Sequence, residues 1–82
     1  GFFLLRSASG RFDDAEEIAF VPAAGLGRGG GASYRFKDIT VLPEVLYTYW
    51  LVDLDTSGRR EVHGPVEVTS LFYQLYLPII WR

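Results

Sequence analysis

The chain has 82 residues, of which 49% are hydrophobic and 16% aromatic, and its formal net charge is −2. A chain of this length and composition is typical of one small, ordered, tightly packed domain. The charge balance gives no support for nucleic-acid binding, the absence of cysteine excludes disulfides and thiolate metal ligands, and no apolar run reaches the roughly 18 residues of a membrane-spanning helix.

The first two predicted elements are strands. Residues 1–7 (G-F-F-L-L-R-S) start extended, and because position 1 is not methionine we expect a processed product, a fragment or part of something longer. A turn follows, and residues 17–21 alternate well enough for a second strand, which Pro22 ends. A short helix over residues 13–19, capped by Asp14, is the alternative, but Val21-Pro22 leaves it little room.

The stretch over residues 45–58 is the one that organises the chain. Glycine-rich residues 22–32 lead to residues 33–40, whose alternating aromatic and basic side chains predict a half-exposed strand. Residues 45–58 (V-L-Y-T-Y-W-L-V-D-L-D-T-S-G) are then apolar at both parities, which predicts a central strand covered on both faces. Residues 59–69 are its predicted hairpin partner, with a bulge or an edge at Gly64-Pro65.

The C-terminal segment, residues 71–81, is apolar at nine of its eleven positions. A free, solvated tail of this composition is implausible, so we expect it to pack on its own domain or on another chain. About five strands at hairpin-scale spacing predict an all-β fold. The chain divides into a β-sandwich core over residues 1–69 and an apolar strand or tail over residues 70–82.

Two motifs imitate binding loops. The first, residues 25–30, matches G-x-G-x-x-G, but a dinucleotide site needs a helix after that loop and a strand pattern follows here. The second, residues 53–58, matches the start of a calcium loop, but its twelfth position is Gly64 instead of the required glutamate. We interpret the first as an inter-strand loop and the second as a polar hairpin turn.

The remaining polar residues indicate no chemistry. Four acids at Asp13, Asp14, Glu16 and Glu17 are typical of a solvated loop face. His63 is the only histidine, and its neighbours in sequence offer neither a triad nor a zinc site, so we place it on a strand surface. The sequence thus predicts no catalytic residue, no cofactor and no metal.

Four stretches together carry a family resemblance: G-F-F-L-L-R-S at 1–7, S-Y-R-F-K-D at 33–38, Y-T-Y-W-L-V-D-L-D-T-S-G at 47–58 and H-G-P-V-E-V at 63–68. They resemble a fibronectin type III-like, that is immunoglobulin-like, module of secreted bacterial surface proteins. The tail at 76–80 resembles the C-terminal ends of such proteins. The resemblance implies strand C at 1–7, E at 34–39, F at 47–55 and G at 59–69, and an extracellular or cell-surface location.

A complete module of that family has two further strands, A and B, before strand C. Without them the sandwich has an open apolar face and an unpaired edge, which is a template for strand addition. The chain also carries the apolar segment 71–81, which has no counterpart among strands C, E, F and G. We therefore expect this segment to take the place of a missing strand.

Three functions remain open. The first is a structural extracellular protein whose subunits exchange strands into a homopolymer, filament or surface assembly. The second is an accessory module of a larger secreted enzyme or adhesin, with the tail folded back on its own sandwich. The third, a carbohydrate binder or small enzyme using Tyr47, Tyr49, Trp50 or Trp81 for stacking, is less favoured because such aromatics are more often core.

The assembly interface predicted for the first function combines an acceptor groove on the core with the donor segment of the tail. Its residues are Phe2, Leu4, Tyr49, Leu51, Leu71, Phe72, Tyr73, Leu75, Tyr76, Leu77, Ile79, Ile80 and Trp81.

Overall fold

The computed structural model describes residues 1–21 and 32–81 of the chain. Within these ranges the protein consists of β-strands and a single turn of 3₁₀ helix over Phe12–Asp14, which confirms the all-β prediction. No helix in this part of the chain is long and apolar enough to cross a membrane. The strands are β1 (Phe2–Ser7), β2 (Glu16–Val21), β3 (Ala32–Asp38), β4 (Leu46–Leu54), β5 (Arg60–Thr69) and β6 (Leu75–Trp81).

The larger sheet has four antiparallel strands in the order β2-β1-β4-β5. Strand β4 lies between β1 and β5, so the prediction of a central strand is confirmed. Its residues alternate between the faces: Tyr49 is buried in the core, and Trp50 and Val52 are buried on the opposite face. There the ring of Phe12 packs edge-on against Trp50, with 5.3 Å between ring centroids, so both faces of β4 are covered.

The smaller sheet pairs β3 with β6 in an antiparallel ladder from Ala32 opposite Trp81 to Asp38 opposite Leu75. The apolar tail is therefore a strand of its own chain's second layer. Among the described residues this layer has two strands, whereas the layer beneath it has four.

The core lies between the two sheets. One cluster contains buried side chains from both layers and from the connection before β4. Because alternate residues of a strand point to the same face, the apolar residues of each sheet meet between the layers. Its members are Phe2, Leu4, Val41, Tyr47, Tyr49, Leu75 and Leu77.

A bulge interrupts the ladder between β4 and β5 where the sequence predicts one. The register shifts between Tyr49 and Leu51, opposite the cis Gly64-Pro65 bond. Gly64 has a φ of 119°, and a Cβ atom at this position would lie 2.9 Å from the carbonyl oxygen of Tyr49. Glycine fits this position because it adopts a positive φ without strain and has no Cβ atom to collide with the neighbouring strand.

Candidate functional site

The groove that receives β6 is the candidate functional site, because it contains the acceptor residues predicted from the sequence. Phe2, Leu4 and Tyr49 are buried in the same cluster as Leu75 and Leu77 of the tail. Leu51 is half-buried and packs against this cluster. The predicted donor and acceptor side chains therefore meet within one chain.

Not all of the predicted donor segment enters the groove. The segment before β6 exposes Leu71, Phe72 and Tyr73, each by about 70% (72%, 69% and 69%). Within β6, Tyr76 lies on the outer face of the layer and is 50% exposed, where Arg35 and Lys37 lie over its ring. The backbone of Ile79, Ile80 and Trp81 pairs with β3, and their side chains lie outside the described part.

An ion pair with a buried carboxylate also joins the two layers. Asp38, at the end of β3, is only 3% exposed and lies 2.9 Å from Arg6 of β1. The hydroxyl of Tyr49 on β4 donates to the same carboxylate oxygen at 2.7 Å. The other oxygen accepts from the backbone N–H and the hydroxyl of Thr40 at 2.9 and 2.7 Å.

The hydrogen bonds around Asp38 outweigh its burial. Desolvation alone would raise the pKa of this carboxyl, but the bonds from Thr40, Tyr49 and Arg6 stabilise the carboxylate and lower its pKa below the ordinary value. Burial, and then the bond to Asp38, raise the pKa of Tyr49 far above its ordinary value. Tyr49 is thus a neutral donor and Asp38 an anion at neutral pH. The sequence analysis did not single out Asp38.

An apolar cleft of about 180 Å³ opens beside the docked tail. Its lining comes from four strands. It includes Leu4 of β1, Tyr49 and Leu51 of β4, His63 and Val66 of β5, and Leu77 and Pro78 of β6.

Tyr47 carries a polar contact at the start of β4. Its hydroxyl oxygen accepts a hydrogen bond from the backbone N–H of Leu42 at 2.9 Å. The guanidinium of Arg6 lies 4.9 Å from the centre of its ring. Tyr47 therefore fixes the connection between β3 and β4 onto the sheet.

The aromatic side chains proposed for sugar stacking are mostly inaccessible. Tyr47, Tyr49 and Trp50 are exposed by only 6%, 1% and 6%. A stacking platform needs an open ring face, so these three residues form core and not a binding face. Trp81 lies in β6, and its side chain is outside the described part.

One of the two loop motifs lies within the described part of the chain. The G-x-G-x-x-G loop at 25–30 lies outside the described residues, but strand β3 follows it. Asp55, in the calcium-like motif, accepts hydrogen bonds from the backbone N–H groups of Ser57 and Arg59 at 2.9 Å each. The interpretation of this motif as a polar hairpin turn is confirmed.

The predicted loop acids divide between a turn and a strand. Asp13 and Asp14 end the 3₁₀ turn, while Glu16 and Glu17 begin β2. Asp14 accepts hydrogen bonds from the hydroxyls of Ser7 and Ser9, and the bond from Ser7 is the main cause of its lowered pKa. All four acids are exposed, as the sequence analysis expects.

His63 has neighbours that the sequence analysis did not assign to it. The hairpin register places Asp53 opposite Glu61, and His63 stands two residues further along β5. One ligand atom from each of the three side chains lies within 4.8 Å of the others.

Comparison with known proteins finds no matching family model, no matching curated protein and no matching solved structure.

Proposed function

We propose that the chain is a non-catalytic, immunoglobulin-like β-sandwich module of a larger secreted or cell-surface protein, with its apolar tail folded back on its own sandwich. The observation that carries this proposal is the pairing of β6 with β3 of the same chain over seven register pairs, with Leu75 and Leu77 buried in the shared core. Because the tail pairs its backbone and buries its leucines within its own chain, it needs no neighbouring subunit.

Strand order supports the immunoglobulin-like assignment. If β1, β4 and β5 are strands C, F and G, the order β2-β1-β4-β5 becomes C′-C-F-G, which is the order of that sheet in variable-type domains. Strand β3 is then strand E, which neighbours strands B and D in such domains, and β6 pairs with it in an antiparallel ladder. If β6 lies on the B side of β3, the tail fills one of the two places that the resemblance leaves vacant.

Tyr47 supports the same assignment. Immunoglobulin-like domains carry a tyrosine near the start of strand F whose hydroxyl bonds to the backbone a few residues upstream. The bond between Tyr47 and the N–H of Leu42 has this geometry, at the start of the strand that corresponds to F. The extracellular or surface location is supported by the sequence resemblance.

A second candidate is the homopolymer held by strand exchange. The observation that favours it is the exposure of Leu71, Phe72 and Tyr73 directly before the strand that would be exchanged. If this segment straightened, β6 could make the same contacts with β3 of a neighbouring subunit. Such a heterologous contact propagates into a polymer unless it closes into a ring.

Light scattering at several protein concentrations separates the two candidates. The module predicts a 9.2 kDa monomer whose mass does not change with concentration. Filaments, or a mass that rises in whole multiples of the subunit, would overturn it and support strand exchange. Electron microscopy of the same sample identifies disordered aggregates, which support neither candidate.

A further inference from the structure

Three potential metal ligands converge on the β4–β5 hairpin, beside the apolar cleft. Asp53 and Glu61 are directly opposite in the ladder, so their side chains share one face of the sheet. His63 is two residues from Glu61 and shares that face. One ligand atom from each of the three lies within 4.8 Å of the other two.

The two carboxylates have no cationic partner in the described part of the chain. The ion pairs found there join Arg6 to Asp38 and Arg11 to Asp13, and no hydrogen bond involves the side chain of Asp53, Glu61 or His63. Arg60 pairs with Leu54, so its side chain belongs to the opposite face of the hairpin. Like charges directly opposite in a ladder are destabilising, and a bound cation would remove that cost.

The donor set indicates the class of ion. Calcium and magnesium prefer oxygen ligands, whereas imidazole nitrogen together with carboxylate oxygen suits zinc and similar divalent transition metals. Ligand atoms around tetrahedral zinc lie about 3.4 Å apart, because each is roughly 2.0–2.2 Å from the ion. Glu61 and His63 are exposed and Asp53 is half-buried, so small rotations of these side chains are free to close the set.

We infer that Asp53, Glu61 and His63 form a binding site for a divalent transition metal, with zinc as the favoured ion. Three protein ligands leave a fourth tetrahedral position for water. The site is built by one hairpin, so it does not depend on how the tail is paired or on the proposed function. Zinc would bridge β4 and β5 just beyond the turn that joins them.

The test is a zinc titration of the full chain. Calorimetry measures the binding, and the NMR signals of the imidazole report whether His63 is a ligand. His63 is the only histidine and the chain has no cysteine, so its ring signals are unambiguous. We expect one zinc ion per chain, a shift of the His63 signals that saturates at that ratio, and a raised midpoint of thermal unfolding.

Single variants identify the ligands. Asp53→Asn, Glu61→Gln and His63→Ala should each weaken zinc binding at least tenfold. Glu67→Gln is the matched control, because Glu67 is an exposed carboxylate of the same strand that lies opposite Thr48 on the other face of the sheet. The zinc affinity of this variant should stay within about twofold of the wild-type value. Thermal unfolding without metal shows that each variant is folded.

Two results would overturn the site. One is the absence of saturable zinc binding to the wild-type chain. The other is a zinc affinity that neither Asp53→Asn nor Glu61→Gln changes. His63 alone would then hold the ion, and the three residues would not form a site. Tighter binding of calcium than of zinc would contradict the assignment of the ion.

Discussion

At the scale of single residues, Asp38 joins the two layers. It lies on β3 of the smaller sheet and accepts from two strands of the larger sheet, from Arg6 on β1, 32 residues earlier, and from Tyr49 on β4, 11 residues later. A buried carboxylate is retained only when its oxygens have partners, and Asp38 has four donor groups.

The first prediction concerns the hydroxyl of Tyr49. Tyr49→Phe should lower the free energy of unfolding by about 1.5–3 kcal/mol, because it removes a buried hydrogen bond to a charged group. Urea unfolding at neutral pH measures this change. Tyr73→Phe removes an exposed hydroxyl and should change it by less than about 0.5 kcal/mol. Equal stabilities of the two variants would show that the bond contributes nothing.

The second prediction concerns acid. The pKa of Asp38 is lower in the folded chain than its unfolded value of about 3.9, so its contribution is fully present above that value and is lost as the pH falls through the folded pKa. Asp38→Asn should therefore lose less stability than the wild type between pH 7 and pH 3. It should also be less stable at pH 7, because Arg6 loses its anionic partner.

The titration of Asp38 itself provides an independent check. The NMR signal of its carboxyl carbon should titrate with a midpoint below the ordinary range for aspartate. A midpoint at or above about 4 would contradict the proposed balance, in which the hydrogen bonds outweigh desolvation.

At the scale of elements, periodicity predicted most strands but not all of their partners. The unbroken aromatic and β-branched run of β4 identified the central strand, and Gly64-Pro65 identified the bulge, because both signals are local. The pairing of β6 with β3 had no local signal. Residues 71–81 are apolar at both parities, so their pattern specified neither a face nor a partner strand.

The candidate sites were also predictable only in part. Leu4, Tyr49 and Leu51 were expected in a groove, and the structure places them in or against the cluster that also contains Leu75 and Leu77 of β6. Asp38 was missed because its partners come from distant strands. The Asp53–Glu61 pair could have been found from the hairpin, since a turn at residues 55–59 places position 53 opposite position 61, but His63 was assessed only against its neighbours in sequence.

The third prediction concerns the bulge in β5. Gly64→Ala should lower the free energy of unfolding by about 1–3 kcal/mol, because an L-residue is strained at a φ of 119° and its Cβ would lie 2.9 Å from a backbone oxygen. Gly58→Ala is the matched control, since its φ of 87° is also positive but nothing lies within 4 Å of the added Cβ. Thermal or urea unfolding compares the two. An equal loss would mean that the close approach of β4 has no cost.

At the scale of the whole molecule, the tail makes the protein a two-layered structure. The second layer is β6 and the strand on which it lies, and both leucines that it buries belong to the central cluster. The segment directly before β6 leaves Leu71, Phe72 and Tyr73 exposed.

The fourth prediction tests how much the docked tail stabilises the chain. Leu77→Ala should lower the free energy of unfolding by about 2–4 kcal/mol, because Leu77 is only 5% exposed and its truncation leaves a cavity between the layers. Leu71→Ala removes the same atoms from an exposed position and should cost less than about 0.5 kcal/mol. If both variants unfold at the wild-type urea midpoint, β6 does not pack as described.

The most direct test of the central claim is to trap the tail with a disulfide. Lys37 and Tyr76 are directly opposite in the β3–β6 ladder, where Cα atoms lie about 4.5–5.5 Å apart, within the range that a disulfide spans. The natural chain has no cysteine, so Lys37→Cys with Tyr76→Cys introduces a single possible disulfide within one chain. Lys37→Cys with Leu71→Cys is the control, because Leu71 lies outside the ladder.

After mild oxidation, a non-reducing gel and intact-mass analysis show whether each bond lies within a chain or between chains. If the tail closes its own sandwich, the Lys37→Cys/Tyr76→Cys variant oxidises to a monomer two hydrogens lighter, and the control stays largely reduced. A series of covalent multimers from the Lys37→Cys/Tyr76→Cys variant, with the control still reduced, would contradict that account. It would place β6 on a neighbouring subunit.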